Sequence, residues 1–588
     1  MKTTPMPNTL WSCRQVLSTV RERGLRGAGF AGKLFLVSVC FSSAPAAPAE
    51  VARNIGQDVK LFGDGVPGLP ARPDQKVELA LKIKQSFTVV GLGDLLQFQP
   101  FANSNDPDIQ YLLNIVREAD LAVADFENEI HDFDNFGYSG HNLATKEVAD
   151  DWALMGIDMV SRANNKPQEA PAIWENFRQV ERVGIIHVGV ARTMKEARMA
   201  RYFSTPKGLA GFIGVYAVGG TDSAVSRDGN RPPEVVHVTE PQLAQLQVMK
   251  DALLARRGEV DVPVKLPAAE PPGTVTVFGV VFKLGPKPDA VTSVSAAHPE
   301  KKKDRDAPQD RMLQDGIANT LRLNLYRGVT AEQMAQLRAI AGDAGTGSDL
   351  SAFGTRFRIM DRPGEHSFDM NPQDRREILA QIRTGKQASD ILVSNTHWHQ
   401  NRFDFQAYSH DNFPADFEIK FAHEAIDHGV DVFVAQGVHT LKGVEIYKGK
   451  PIFYGTSNFI FQSAIMPVFT PHDAAKGEQA APSGTEAIIG EHEIQGVNPL
   501  NPGRYWQLKA TLKSILTQSR FENGRLAEVR IYPVDLGQTP RPGSQLGIPK
   551  RPSPEVARQI LEQVIEYSKP FGTKIEIEDG VGVIRLAD

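Results

Sequence analysis

The sequence predicts an α/β protein built on a mainly parallel, layered sheet system covered by helices on both faces. Two observations carry this. From Phe87 onward short apolar runs alternate with amphipathic stretches, which is the grammar of repeated βα units. The alternation stops near residue 225 and resumes near residue 371, so one sheet system is interrupted by an insertion. The chain has 588 residues, 41% hydrophobic and 23% charged, which is enough for one large core with insertions. A formal charge of −5 gives no pointer to nucleic acid as a partner.

Residues 1–49 read as a signal peptide. Lys2, Arg14, Arg21, Arg23, Arg26 and Lys33 face a single acid, Glu22; the apolar run Leu34 to Phe41 follows, then Ala44-Pro45-Ala46-Ala47-Pro48-Ala49. A basic start, a short apolar run and an A-x-A site predict cleavage near Ala49 and a periplasmic or secreted protein. The run is too short to span a bilayer, and no later segment is long and apolar enough. Removing this leader takes six cations and one acid away and leaves a charge of −10. It also removes both cysteines, Cys13 and Cys40. The mature chain then has no thiolate chemistry, and a metal site must use His, Asp, Glu or Asn.

Residues 50–80, rich in Pro and Gly, read as a linker. Residues 81–225 hold predicted strands at 87–91, 121–124, 158–161, 185–190 and 209–217, with helices at 107–118, 146–155, 172–183 and 194–201. Residues 226–370 read as a partly ordered insertion. It has one helix starting near Thr239 and another at Thr330, where Gln333 completes a capping box. Its cluster Lys301 to Asp306 interleaves acids with bases and reads as a solvated loop. Residues 371–465 return to the β/α pattern, with helices at 373–383 and 417–427 and strands at 390–394 and 430–435. A hairpin turns at Lys448-Gly449-Lys450. Residues 466–588 read as a small C-terminal α+β segment. Its helix opens at Ser553-Pro554, and a last hairpin turns at Asp579-Gly580.

Chemistry collects where strands end. Gly93-Asp94 follows the first strand, Asp125-Phe126-Glu127 ends the second and Asn164-Asn165 the third. His397-Trp398-His399 and Gly437-Val438-His439 follow the two strands after the insertion. Taken singly, each reads as a turn, a cap or a buried aromatic patch. Taken together they converge, because C-terminal strand ends of a parallel sheet share one edge, where open α/β folds bind ligands. Asp94, Glu127, Asn165, His397, His399 and His439 combine carboxylate, amide and imidazole, a donor set suited to Zn²⁺, Mn²⁺ or Fe²⁺.

The order of segments resembles the CapA family of poly-γ-glutamate (capsule) synthesis proteins. The resemblance rests on GDLL (93–96), ADLAVADFE (119–127), GIDMVSRANNK (156–166) and GIIHVGVARTMKEAR (184–198). It continues in DHGVDVFVAQGVHTLKGVEIYKGKPIFYGTSNFIFQ (427–462) and KPFGTKIEIEDGVGVIRL (569–586). It implies a metallophosphatase-like sandwich with one or two divalent ions (Mn, Zn or Fe) that activate water or polarise a phosphoryl group. Carried over, Asp94, Glu127, Asn165, His397 and His439 fall at ligand positions, with Glu127 bridging, while Lys166 and His399 fall at catalytic positions.

The chain departs from the pattern in places. Lys166 replaces the His after Asn-Asn, Glu169 an Asp and Pro171 a Gly. Gln436 replaces the first His of Gly-His-x-x-His, Ala435 its Gly, and Ser457 a Gly before Asn-Phe. A protonated Lys cannot ligate a metal, but it can place positive charge beside a phosphate or carboxylate. Gln436 is expected at the wall of the site in a lost ligand position. Two functions follow from the resemblance. One is an extracytoplasmic metal-dependent hydrolase acting on an anionic polymer or a phosphorylated envelope precursor, with a polymer synthase complex as its expected partner. The other is a non-catalytic polymer-binding or export subunit with a degenerate metal site.

Overall fold

Two facing sheets, rather than one, carry the β/α alternation. The computed structural model describes residues 75–135, 143–166, 170–219, 235–260, 270–286, 315–406, 411–462 and 509–586, all within one unit, Asp74–Asp588. The leader, most of the Pro-rich stretch and the 301–306 cluster lie outside the described residues.

In chain order the strands used below are β1 (Phe87–Leu96), β2 (Leu121–Phe126), β3 (Met159–Ser161), β4 (Ile186–Val188), β5 (Gly208–Val218), β6 (Thr320–Val329), β7 (Ile391–His397), β8 (Val432–Gln436), β9 (Lys450–Phe453), β10 (Asn458–Phe461), β11 (Lys513–Glu522), β12 (Arg525–Asp535) and β13 (Val581–Arg585). The helices are α1 (Pro107–Arg117), α2 (Glu147–Met155), α3 (Ala172–Arg182), α4 (Glu240–Ala255), α5 (Ala331–Ala341), α6 (Pro372–Ala388), α7 (Asp416–Asp427) and α8 (Pro554–Ser568).

The first sheet runs β13-β12-β11-β1-β2-β3-β4, with β10 also paired to β1. Its β1 to β4 portion is parallel. The second contains β6-β5-β7-β8-β9 in order, all parallel. Strand alternation divides the side chains among three cores. Val89, Leu121 and Val123 of the first sheet meet Ile391, Val393, Val432 and Val434 of the second in a central layer. Their neighbours Val90, Ala122 and Ala124 pack under α1 and α2. Leu392, Phe433 and Ala435 pack under α6 and α7. Each strand is buried on both faces, so it reads as a continuous apolar run rather than an alternating one. The result is a helix–sheet–sheet–helix sandwich, the layered α/β class expected from the sequence.

Two expectations need correction, one in a helix and one at the C-terminal segment. Residues 194–201 are not one helix: only Met194–Ala197 is helical, and Arg201–Thr205 pairs antiparallel with β5. The aromatic, Thr-ended run Tyr202-Phe203-Ser204-Thr205 suits a strand. The described part of the insertion is well organised. α4 packs on strands Thr274–Val277 and Val280–Leu284 and against α5, and α5 packs on strands Asp349–Ala352 and Thr355–Ile359, around Leu246, Met249, Phe282, Leu337 and Phe357. Within it, β6 leaves to join the second sheet beside β5. Finally, β11 and β12 are not set apart from the main fold, because β11 pairs antiparallel with β1 and completes the first sheet. Among the described residues no helix is long and apolar enough to cross a membrane.

Candidate metal centre

The site lies between the sheets, at the C-terminal ends of their parallel strands. A register shift between Gly91 and Asp94 breaks the β1–β2 ladder, and such a bulge re-aims a side chain. Gly93 is required there, since a Cβ would lie 1.9 Å from the Ser457 carbonyl oxygen. Asp94 is fully buried. It accepts from the Gly437 N–H at 3.3 Å, and its Oδ2 lies 3.0 Å from His439 Nδ1. On β2, Asp125 continues the inward face of Leu121 and Val123, and Glu127 lies one step further.

His397 ends β7 with its ring between the carboxylates. Nδ1 is 3.2 Å from Asp125 Oδ2, and Nε2 is 3.5 Å from Glu127 Oε1. His399, two residues on, brings its Nε2 to 2.8 Å from that same Nε2, and Asn165 Nδ2 is 3.2 Å from His399 Nε2. His439 closes the other side, with Nε2 3.7 Å from Glu127 Oε2. Its backbone is left-handed, φ 56°, and its Nδ1 meets Asn458 Oδ1 at 2.7 Å. Asn458 donates its own N–H to the Thr511 carbonyl, which leaves its oxygen for His439.

The electrostatics follow from packing acids together out of water. Burial first, then repulsion from Glu127, pushes Asp94 up to about 6 against the His439 hydrogen bond. Burial likewise raises Asp125. Burial opposes ionisation of Glu127, yet Lys166, His439 and His397 together hold it below its ordinary value. Burial also opposes the charged form of His439, but Glu127 and Asp94 lift it to about 9. The carboxylates thus favour the protonated forms of His397 and His439, the expected effect of acids packed beside imidazoles.

These residues fit a divalent cation. Three triplets bring one donor atom from each member within 4.8 Å of the others: Asp94–Glu127–His439, Asp94–Asp125–His397 and Glu127–His397–His399. With metal–ligand bonds of about 2.0–2.3 Å, donors this close can share one ion after the side chains close on it. Asp94 Oδ1, Asp125 Oδ1, both Glu127 oxygens and Asn165 Oδ1 are buried without a hydrogen bond. Buried acceptors left so are costly, and a cation satisfies them.

The structure brings Asp94, Glu127, His397, His399 and His439 together, with Asn165 at His399 and Lys166 Nζ 3.7 Å from Glu127 Oε1. His399, read from the sequence as catalytic, stands in a ligand triplet. Gln436 ends β8 in register with His397; its amide nitrogen donates to Asn395 Oδ1 at 2.6 Å, while its buried Oε1 accepts no hydrogen bond. Asp125 was missed by sequence reasoning, although its two-residue step from both Val123 and Glu127 places it on their face.

A four-layer α/β sandwich whose strand ends deliver three carboxylates and three imidazoles to one edge is a protein with a candidate metal centre. The chain belongs to the family described as bacterial capsule synthesis protein PGA_cap, whose profile matches residues 81–267 and 276–463. It is 27% identical over 521 residues to protein y4sH of Sinorhizobium fredii, covering 86% of this chain and 95% of that one. It is 33% identical over 90 residues to the PGA biosynthesis protein CapA of Bacillus subtilis, 15% of this chain and 22% of that protein. With the capsule biosynthesis protein CapA of Bacillus anthracis it shares 30% identity over 102 residues, 17% and 22% of the two chains. A solved Staphylococcus aureus structure, provisionally assigned as a 5′-nucleotidase, aligns over 64% of this chain and 49% of its own at 9% identity, with a TM-score of 0.25.

Proposed function

We propose that this protein is an extracytoplasmic metal-dependent hydrolase, of metallophosphoesterase-like chemistry, that serves capsule or poly-γ-glutamate synthesis. The observation that carries this reading is the set of buried carboxylate oxygens of Asp94, Asp125 and Glu127 that accept no hydrogen bond, facing three imidazoles across one edge. A divalent ion bound there supplies Lewis acidity toward a phosphoryl or acyl oxygen and lowers the pKa of water. Asp94, Glu127 and His439 hold one ion, while His397, His399 and Asn165 border a second position. Lys166 places one fixed positive charge at this otherwise acidic end of the cavity, and a bound divalent ion would supply the rest of what an anionic substrate needs. The substrate class is a phosphorylated envelope precursor or an anionic polymer, handled alone or beside a polymer synthase. The basic leader supports export.

A second reading, a polymer-binding or export subunit without turnover, is favoured by one contact, that of Lys166 with Glu127. Purified mature protein separates the two. Elemental analysis is paired with hydrolysis of phosphomonoesters, phosphodiesters and γ-glutamyl polymer, before and after chelation. The hydrolase reading expects bound Mn, Zn or Fe and chelator-sensitive turnover of at least one substrate. Bound metal with no turnover supports the second reading, and absence of metal under saturating Mn²⁺ overturns the metal centre itself.

A further inference from the structure

We infer that the Lys166 ammonium takes the place of one divalent ion, so that the centre holds a single metal beside a built-in cation. The inference rests on the metal-centre reading above and concerns how many ions it takes.

The two oxygens of Glu127 face different ways. Oε2 looks toward His439 at 3.7 Å, on the Asp94 side. Oε1 looks toward His397 Nε2 at 3.5 Å, on the His399 side. Lys166 Nζ stands 3.7 Å from Oε1, so its charge lies against the oxygen that a second ion needs, and the Asp94–Glu127–His439 triplet keeps its own oxygen.

The lysine is held there by its backbone. Its N–H donates to Asn164 Oδ1 at 3.1 Å. Asn164 Nδ2 in turn donates to the Phe126 carbonyl at 2.7 Å and to Asp125 Oδ2 at 3.2 Å. The segment is thereby tied to the strand end that carries Asp125 and Glu127. The Lys166 side chain is 18% exposed, a rim position from which the stem reaches inward.

Charge counting agrees. Asp94, Asp125 and Glu127 bring three negative charges. The buried Arg162 guanidinium is matched by Glu129, 3.9 Å away. Lys166 reduces the remaining three to two, which one divalent ion neutralises. Two divalent ions together with Lys166 would leave two positive charges that these three carboxylates do not compensate, and burial of unpaired charge is disfavoured.

The test is the metal stoichiometry of the full-length purified chain, using Mn²⁺ as the only probe. Equilibrium dialysis with elemental analysis gives ions per chain, and electron paramagnetic resonance distinguishes an isolated ion from a spin-coupled pair. Wild type is expected to bind one Mn²⁺ with an uncoupled spectrum. Lys166→His and Lys166→Met are both expected to bind two, with a coupled signal, and adding His399→Ala to either should return the count to one. Thermal melts check that each variant is folded. Two ions in wild type, or one ion in both folded Lys166 variants, overturns the inference and leaves the metal centre standing. No bound Mn²⁺ in wild type or either variant overturns the metal-centre reading and this inference with it.

Discussion

Lys442 Nζ and Glu418 Oε2 meet at 2.7 Å with both side chains fully buried. The pair joins the loop that carries His439 to the first turn of α7. Burial pushes Glu418 up to about 7, although the Lys442 ammonium opposes the shift. For the Glu418 carboxylate, desolvation therefore outweighs what the ion pair provides. The pair is better understood as a fastener for a strained loop, in which His439 holds φ 56° and Ser457, left-handed at φ 64°, donates its hydroxyl to the His439 carbonyl. Such strain persists only where the surroundings over-determine it.

Removing one member alone strands the other charge. Lys442→Met should cost about 3–5 kcal/mol in urea denaturation at pH 8. The double variant Glu418→Gln/Lys442→Met should return to within about 1 kcal/mol of wild type, because two neutral side chains of similar size replace two desolvated charges. A harmless single substitution would show that the pair is not energetically coupled.

Asp158, at the opposite end of β3 from the site, sets a pH dependence. Its Oδ2 accepts from the Ala122 N–H at 2.8 Å, but burial raises its pKa to about 6 from 3.8. A raised acid binds more protons folded than unfolded between these values, so this group's contribution to stability falls as pH rises from about 4 to 6. Below pH 4 it contributes no difference, and above 6 the penalty is complete. Asp158→Asn keeps the acceptor and drops the charge. It should therefore be more stable than wild type by on the order of 1–2 kcal/mol at pH 7.5, and equal to it at pH 4. The same gain at both pH values would rule out ionisation as its source.

Much of this was legible in the sequence, for physical reasons. Strands β1, β2, β7 and β8 are buried on both faces, so each reads as an apolar run with its polar residues gathered at or near its C-terminal end. The caps at Thr239, Thr330 and Ser553 are local chemistry and form where expected. The sandwich followed from the family resemblance, but which strands join which sheet was not legible, because a strand buried on both faces reads the same in either. Asp125 was passed over because Glu127, beside it, already matched a ligand position.

Gly437 should be intolerant of a side chain. Its φ is 104°, and a Cβ there would stand 2.9 Å from His397 Nε2 and 2.8 Å from the Trp398 carbonyl. Gly437→Ala is expected to cost about 1–3 kcal/mol through backbone strain. It should also weaken Mn²⁺ binding by at least about tenfold, an effect of about 1.4 kcal/mol on a displaced ligand. Calorimetric titration with Mn²⁺ checks this, and unchanged affinity in a folded variant would show that the His397 ring has room to move.

The last prediction concerns the loop that carries His399 away from β7. Phe403 and Phe405 stack 4.7 Å apart inside the core of the insertion. Between them, Asp404 accepts from Arg327 Nε at 2.9 Å and stands 3.0 Å from His366 Nε2. His366 Nδ1 lies 2.8 Å from the Asn401 carbonyl, and the His366 N–H donates to the Arg402 carbonyl at 2.7 Å. Burial opposes charge on Asp404, yet Arg327 and His366 hold its carboxyl well below the usual carboxylate range. The insertion therefore grips the loop both by packing and by a desolvated charge cluster. Asp404→Ala removes the shared acceptor and leaves Arg327 and His366 facing each other. Amide hydrogen exchange across 399–406 should accelerate by at least about tenfold, equivalent to about 1.4 kcal/mol of local opening, while β2 and β8 stay protected. Because the Asp94–Glu127–His439 triplet draws nothing from this loop, Mn²⁺ affinity should change less than about threefold, or about 0.65 kcal/mol. Unchanged exchange in 399–406 would mean that the stacked phenylalanines alone hold His399 in place.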